Sequence, residues 1–597
     1  MRKFFLSLWT LASASFEADK WATIGMSLLI IISSASSVAT PIGLKLLVDA
    51  VARGRDGEVV FSVALIVASL VISQCVSLAN LIMGARLREA TGLILNRRLI
   101  KLTTQIASIE HYERAEYLNE LEELKDDISS MATVQNNIIT MLNMVLRILF
   151  TLILLGRVYP WLLFLPLFGL PSVWASFSSA QKLHQVHKGI MPLRRLEAYF
   201  CYLSMNAIAA KEIRIFGLRD EILQRHRTLR KEIDREEDGI QIRNALRVIV
   251  AWTIFSIGFL GAIVFVTVRA VSRQVTVGDV VLVMTLASQV DSQVSSLSTT
   301  VARLFEIIKA AERYLWLRDY GKQANMFLLN SRTETIPESI RDGIALEHLS
   351  FCYPGTDRTI LADVNLHLPA GATVAIVGEN GAGKTTLVKL LSRLYEPTQG
   401  RITVDTIDIK DLDIEQWRER ISAGFQDFIR FELLARDVVG IGDLPKSENI
   451  AAVEAALGRA QANAVVAELP GGLQTQLGRS FKGGVELSGG QWQKLALGRA
   501  MMRPLPLLLI LDEPTSALDA QTEHALFQQY TRATHRIGQA IGAISILVSH
   551  RFSTVYMADL IVVLNKQGIE EVGSHEELIA NHGLYSRLYE LQSSAYR

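Results

Sequence analysis

The chain has 597 residues, 50% apolar and only 20% charged, which excludes a disordered or fibrous protein. Its 61 basic and 60 acidic residues leave a net charge of +1, so no overall basic field argues for nucleic acid. Three scattered cysteines, Cys75, Cys201 and Cys352, exclude a disulfide scaffold and a Cys-based zinc site, and fit soluble parts in a reducing compartment.

The opening MRKFFLSLWTLASAS has two readings: a signal peptide with an Ala12-Ser13-Ala14 cleavage site, or an amphipathic helix on the inner leaflet. The second is preferred, because cleavage would leave the first span without an inserting role for the signal. Six apolar runs follow, near 22–48, 59–84, 135–157, 160–180, 246–270 and 277–305. A bilayer needs about 20 residues per helix, so six transmembrane helices are expected. The sixth run is more polar, with Asp279, Asp291 and many Ser, Thr and Gln. It is expected to line a cavity or pack inside the bundle. Arg147 lies in the third run, where a mid-membrane charge costs about 2.5–3.5 kcal/mol. It is expected to face a central cavity or pair with an acid such as Asp291; the alternative is snorkelling to the headgroups.

Short loops join runs 1–2, 3–4 and 5–6. The long connections, 85–134 and 181–245, read as helical and hold seven and thirteen basic residues. By the positive-inside tendency they are cytoplasmic, as are both termini. The stretch 318–342 is polar and is expected to be a linker. It divides a membrane domain, 1–317, from a soluble domain, 343–597. In the latter, short β-like runs alternate with helical patterns, the mark of an α/β domain. The expected architecture is therefore an α-helical membrane domain with long cytoplasmic extensions, fused to an α/β P-loop NTPase domain.

The strand-like ATVAIVG leads into GENGAGKTT and a helical segment. Gly378, Glu379, Asn380, Gly381, Ala382 and Gly383 form a loop whose backbone N–H groups converge on phosphate oxygens, aided by the helix N-terminus. Lys384 reaches the β- and γ-phosphates, and the Thr385 hydroxyl, followed by Thr386, ligates Mg²⁺. Further on, LPLLLILDEP reads as a buried parallel strand ending in two acids. Asp512 fits the Mg²⁺-associated acid of such a site. Glu513 fits a general base for the attacking water. Between these motifs, LSGGQ at 487–491 opens a helix, again an anion-binding arrangement.

In this order and spacing the motifs resemble the ATP-binding cassette (ABC) transporters, and the resemblance covers the whole chain. LSGGQ, with Ser488, Gly489, Gly490 and Gln491, looks like the family signature; GENGAGKTT and LLLILDEP look like its Walker A and B motifs. The resemblance implies that Tyr353 stacks on adenine and that Gln426 is the Q-loop glutamine, near the metal with Thr385 and Asp512. Asp519 falls in the D-loop, Ser516–Asp519, and His550 matches the switch histidine. Glu513, His550 and Gln426 would then serve catalysis, with ATP and Mg²⁺ as cofactors. Six spans before one cassette resemble a half-transporter exporter, so the partner is a second copy of the chain. Each nucleotide would lie between the P-loop of one copy and the LSGGQ of the other. The tips that touch the cassettes are expected near 111–121 and 213–225, anchored by Tyr112, Tyr117 and Phe216.

RSFKGGVELSGGQ, FQDF and AKEIRIFGL look closer to exporters of lantibiotics and other peptide natural products. The first span is reached by about residue 22, so no peptidase domain is expected ahead of it. The expected function is ATP-driven outward movement of a peptide-like or amphipathic product across a bacterial-type inner membrane. Membrane lipid and the transported substrate are its other partners, and nucleic acid is not one. The alternatives are a lipid or multidrug exporter, or an importer built on the exporter fold.

Overall fold

The computed structural model describes residues 2–329, 334–513, 531, 535–549, 551–566 and 568–595. They divide into two compact units: Met1–Thr103 with Glu120–Asp319, and Thr104–Asn119 with Tyr320–Arg597.

The first unit is helical. Helix α1 spans Arg2–Ala18 and α2 spans Lys20–Arg53. Asp19 separates them: its extended backbone breaks the helix, and its carboxylate accepts from Ala22 N at 3.0 Å, a side-chain N-cap. Helices α3 (Asp56–Thr104), α4 (Ala115–Met131), α5 (Val134–Val158), α6 (Leu170–Met205), α7 (Ala210–Ile215), α8 (Arg219–Val271) and α9 (Val277–Leu329) follow. Among the described residues α2, α3, α5, α8 and α9 are long and apolar enough to cross a membrane. Their outward faces carry exposed Val60, Leu81, Ile153 and Ile257, an apolar surface that suits lipid rather than water. The expected fourth span takes a different form. Residues Pro160–Gly169 are a 3₁₀ helix before α6 begins, and the apolar stretch of this region is Pro160–Ala175. Pro160, Pro166 and Pro171 each lack the N–H that an α-helix interior requires.

Several polar residues of α9 turn inward. Gln293 and Thr300 are buried. Gln289 donates to Ser37 O at 3.2 Å, and Gln293 to Thr151 Oγ1 at 3.5 Å. Arg147 also turns into the bundle: its Nη2 donates to Ser33 Oγ at 2.9 Å, and its buried Nε has no hydrogen-bond partner among the described residues. The Asp291 side chain lies outside the described residues, so the expected pairing with it is not addressed. Asp279 pairs with Lys45 at 2.5 Å.

Helix α9 continues to Leu329, so the polar stretch that begins at 318 starts inside a helix. Beyond it the second unit holds two sheets. One is antiparallel, in the order β2-β1-β4-β5: Thr359–Pro369, Gly343–Cys352, Gln399–Val404 and Ile407–Asp408. The other has the order β10-β9-β3-β8-β7-β6: Gly568–Gly573, Leu560–Asn565, Thr373–Gly378, Ile544–Val548, Leu508–Asp512 and Ile421–Gly424. Its strands are parallel except for the β9–β10 hairpin. Strands β3, β7 and β8 are buried almost throughout, which explains their unbroken aliphatic sequences. One core lies between the sheets and the helix α10, Lys384–Leu391. A second, helical core gathers Val438, Val453, Leu457, Trp492 and Leu495.

Candidate nucleotide site

Strand order assembles the site. Strands β3 and β7 both pair with β8, and Val548 lies opposite Ile376 on one side and Asp512 on the other. Strand β6 pairs with β7, with Gly424 opposite Leu511. The chain therefore leaves β3 into the P-loop, β7 into Glu513 and β6 towards Gln426 at one edge, the carboxyl ends of parallel strands. Ligands of open α/β sheets bind at this edge.

The loop from Gly378 to Gly383 places Glu379, Asn380 and Gly381 at an exposed tip and Ala382 in the core. At Gly378 a Cβ would sit 2.1 Å from Leu564 O, so only glycine permits the approach of β9. Gly383 has φ of 95° and caps α10, a left-handed geometry that glycine adopts without strain. Lys384 is buried and donates from Nζ to Gly378 O at 2.8 Å and Glu379 O at 3.0 Å. Burial lowers its pKa, opposed by Glu513 and Asp512. Thr386 shares a 2.9 Å hydrogen bond with the Tyr353 hydroxyl, which anchors that half-buried ring to the loop's helix.

Asp512 is 1% exposed, and among the described residues neither carboxylate oxygen has a hydrogen-bond partner of ordinary geometry. Burial pushes its pKa up, against the pull of the nearby Thr385 hydroxyl. A buried carboxylate left without a partner is costly. A hard cation seated against it would remove that cost. One carboxylate, one hydroxyl and substrate phosphates make an oxygen set suited to Mg²⁺, so the residues fit that ion. Gln426 directs Nε2 to Glu513 Oε2 at 2.6 Å, which leaves its carbonyl oxygen as the atom able to reach a metal. Glu513 has φ of 46°. A non-glycine residue there costs about 1–3 kcal/mol, a strain typical of functional sites.

The signature residues stand apart. Ser488 caps the helix Gly489–Ala500 in a capping box: Gln491 N donates to Ser488 Oγ at 3.3 Å and Ser488 N to Gln491 Oε1 at 2.9 Å. Leu487 and Trp492 root this turn in the helical core. No hydrogen bond joins Ser488, Gly489, Gly490 or Gln491 to the P-loop among the described residues. Asp519, the rest of Ser516–Asp519 and His550 lie outside the described residues.

The segment around the expected first tip belongs to the same compact unit as the cassette. Ser108 Oγ and Ile109 N both donate to Leu394 O at 3.2 Å, and Arg418 Nη2 donates to Ala107 O at 2.7 Å. Anchoring therefore begins earlier than the expected 111–121. Of the expected aromatic anchors, Tyr117 is buried and Tyr112 is exposed. His111 is 2% exposed among Tyr112 and Tyr117, and burial holds its pKa down to about 4, with the Ser108 backbone opposing. The second tip, around α7, leaves Met205, Ile208, Ile215 and Phe216 exposed, Phe216 by 68%. Leu394 and Arg418 escaped sequence reasoning, because contacts through backbone carbonyls leave no motif.

Residues 361–516 match the family described as ABC transporter. The protein therefore carries an ABC transporter domain. It is 28% identical over 516 residues to the subtilin transport ATP-binding protein SpaT of Bacillus subtilis, covering 84% of this chain and 80% of that one. It is 29% identical over 383 residues to the ATP-dependent lipid A-core flippase of Alcanivorax borkumensis, covering 64% of this chain and 63% of the flippase. The fold matches a bacterial Atm1-family ABC exporter with ATP bound at a TM-score of 0.76 and 24% identity, over 96% of this chain and 98% of the other. The chain therefore joins helices long and apolar enough to cross a membrane to an ABC transporter domain, in a fold shared with that exporter. Its enzymatic activity is ATP hydrolysis.

Proposed function

We propose that two copies of this chain form a homodimeric exporter in a cytoplasmic membrane, with cassettes and termini on the cytoplasmic side. Residues 1–317 serve as the membrane domain, 318–342 as the connector and 343–597 as the cassette. The observation that carries this reading is the juxtaposition of the buried Asp512 carboxylate, the strained Glu513 and the P-loop at one strand edge. It is a set of groups suited to a charged phosphate ligand with its metal.

The chain's own residues perform defined tasks. Loop N–H groups and Lys384 bind the β- and γ-phosphates. Thr385, Asp512 and the Gln426 carbonyl hold Mg²⁺, which when bound neutralises phosphate charge. Gln426 orients the Glu513 carboxylate, which takes a proton from the attacking water. His550 and Asp519 complete the site, and Tyr353 supports the base. Residues Ser488–Gln491 of one copy close on the P-loop of the other, so ATP favours the closed pair. Loss of the γ-phosphate contacts on hydrolysis reopens it. The exposed apolar tip at 205–216 supports the dimer, as a surface that one copy leaves uncovered.

The cargo is a peptide-like or amphipathic natural product. The long match to a subtilin transport protein supports this. The flippase relatives favour lipid as a second reading. Inside-out vesicles loaded with the protein separate them. ATP-dependent uptake of subtilin, absent in Glu513→Gln, is the expected result. Movement of a labelled phospholipid with no peptide uptake would replace the peptide reading with the lipid one.

A further inference from the structure

Tyr395 belongs to none of the nucleotide motifs, yet it stands between the nucleotide site and the segment 104–119. It follows α10 by four residues and is 1% exposed. Its ring meets Tyr353 edge-on, with centroids 5.5 Å apart and planes at 90°, and meets Phe351 at 5.4 Å. The Lys389 ammonium lies 6.0 Å from the Tyr353 ring and 5.7 Å from the Tyr395 ring. On its far side the Tyr395 hydroxyl donates to the Glu113 carboxylate, in the turn Glu110–Glu113. Burial first, and then Glu113, push the phenol's pKa up, so it remains a donor at any working pH.

We propose that Tyr395 is a positioning residue that couples the seat of the nucleotide base to the turn at 107–113. The proposal rests on the reading of Tyr353 as the base platform. Tyr353 is fixed at its hydroxyl by Thr386 and at its edge by Tyr395. A base laid on its remaining face sets the ring's tilt. That tilt is passed to Tyr395 by close packing, because aromatic contacts at this separation are orientation-dependent. Tyr395 is a rigid ring, so a change in its tilt alters the O–H to Glu113 geometry, which weakens steeply off line. The turn does not depend on this bond for its seat. Ser108, Ile109 and Arg418 hold it through backbone carbonyls. The phenol–carboxylate bond thus reports the site's state without being the anchor.

The test uses the full chain with Tyr112→Cys carrying an environment-sensitive fluorophore, in a background where Cys75, Cys201 and Cys352 are replaced by Ser. Tyr112 is exposed on the turn. A non-hydrolysable ATP analogue is expected to shift the probe signal. Tyr395→Phe keeps the ring and removes the hydroxyl, so analogue affinity should stay within about twofold while the shift falls at least about threefold, as expected for loss of a charge-assisted hydrogen bond. Glu113→Ala should reproduce this with Tyr395 intact. Glu113→Gln, whose amide oxygen still accepts, should keep most of the shift. A full-sized shift in both Tyr395→Phe and Glu113→Ala would overturn the proposal. Tyr353→Ala serves a separate purpose: if it leaves analogue affinity unchanged, the base-platform reading itself fails.

Discussion

The two motif regions of the cassette are built in opposite ways. At the strand edge, Asp512 is buried with no hydrogen-bond partner of ordinary geometry among the described residues, and Glu513 sits at a left-handed backbone angle. In the signature turn the polar side chains are satisfied locally: Ser488 and Gln491 cap each other, and Gln491 also reaches Glu468 at 3.2 Å. The first region carries stress that a ligand relieves. The second is stable by itself and presents an open face at Gly489, where a Cβ would meet nothing within 4 Å. A half-site under stress and a half-site at rest are what a nucleotide shared between two copies requires. In the proposed dimer neither copy would complete the site alone.

Substitutions in the two regions should therefore fail differently. Lys384→Ala, in the stressed half, should lower turnover by about 10²–10³-fold, the typical loss on removing one donor from a developing negative charge. Steady-state ATPase measurements check it. Tyr353→Ala should weaken ATP binding by about 1–3 kcal/mol, the value of a base–aromatic stack, and equilibrium binding to the full chain reads it. If both variants lost equal affinity, Tyr353 would not be the base platform.

The His111 pocket sharpens the comparison by pH. Its pKa is held down to about 4 in the docked turn, against about 6.5 when free. The folded form refuses a proton that the opened form accepts. Docking stability is therefore complete above the free value and lost as pH falls towards 4. By pH 5 the loss is about 2 kcal/mol. Amide-exchange protection at 107–113, corrected for intrinsic rates, should fall from pH 7 to 5 in the parent and stay flat in His111→Phe.

The smallest effect belongs to the resting half. Ser488→Ala should destabilise its helix by about 0.5–2 kcal/mol, as loss of an N-cap does, and also lower turnover. Ser488→Asn restores the cap. If it restored turnover fully as well, Ser488 would be only a cap.

How much was legible depends on where the determinants lie. The P-loop is nine contiguous residues, so its chemistry reads directly from Gly378–Thr386. Strand β7 reads from its leucines because both its faces are covered. The Gln426–Glu513 contact depends on β6 lying beside β7, a strand order that no local pattern encodes. Tyr395 is a lone tyrosine in sequence, and only the packing of Tyr353 and Glu113 around it reveals its place. The fourth apolar run has the right composition, but its prolines yield a 3₁₀ helix before α6. Its hydropathy was legible and its backbone form was not.

The central claim is that the stressed half of one copy and the resting half of the other meet over ATP. The most direct test is Glu513→Gln in the full-length protein, with ATPase rate measured beside a spin-label distance between the two cassettes. Loss of a general base costs about 10²–10⁴-fold in rate, while Lys384, Thr385 and Asp512 still hold the nucleotide. The account predicts turnover down at least about a hundredfold, with the cassettes closed and remaining closed in MgATP. Near-normal turnover would remove Glu513 as the base. A protein that binds ATP but keeps its cassettes apart would contradict the shared site.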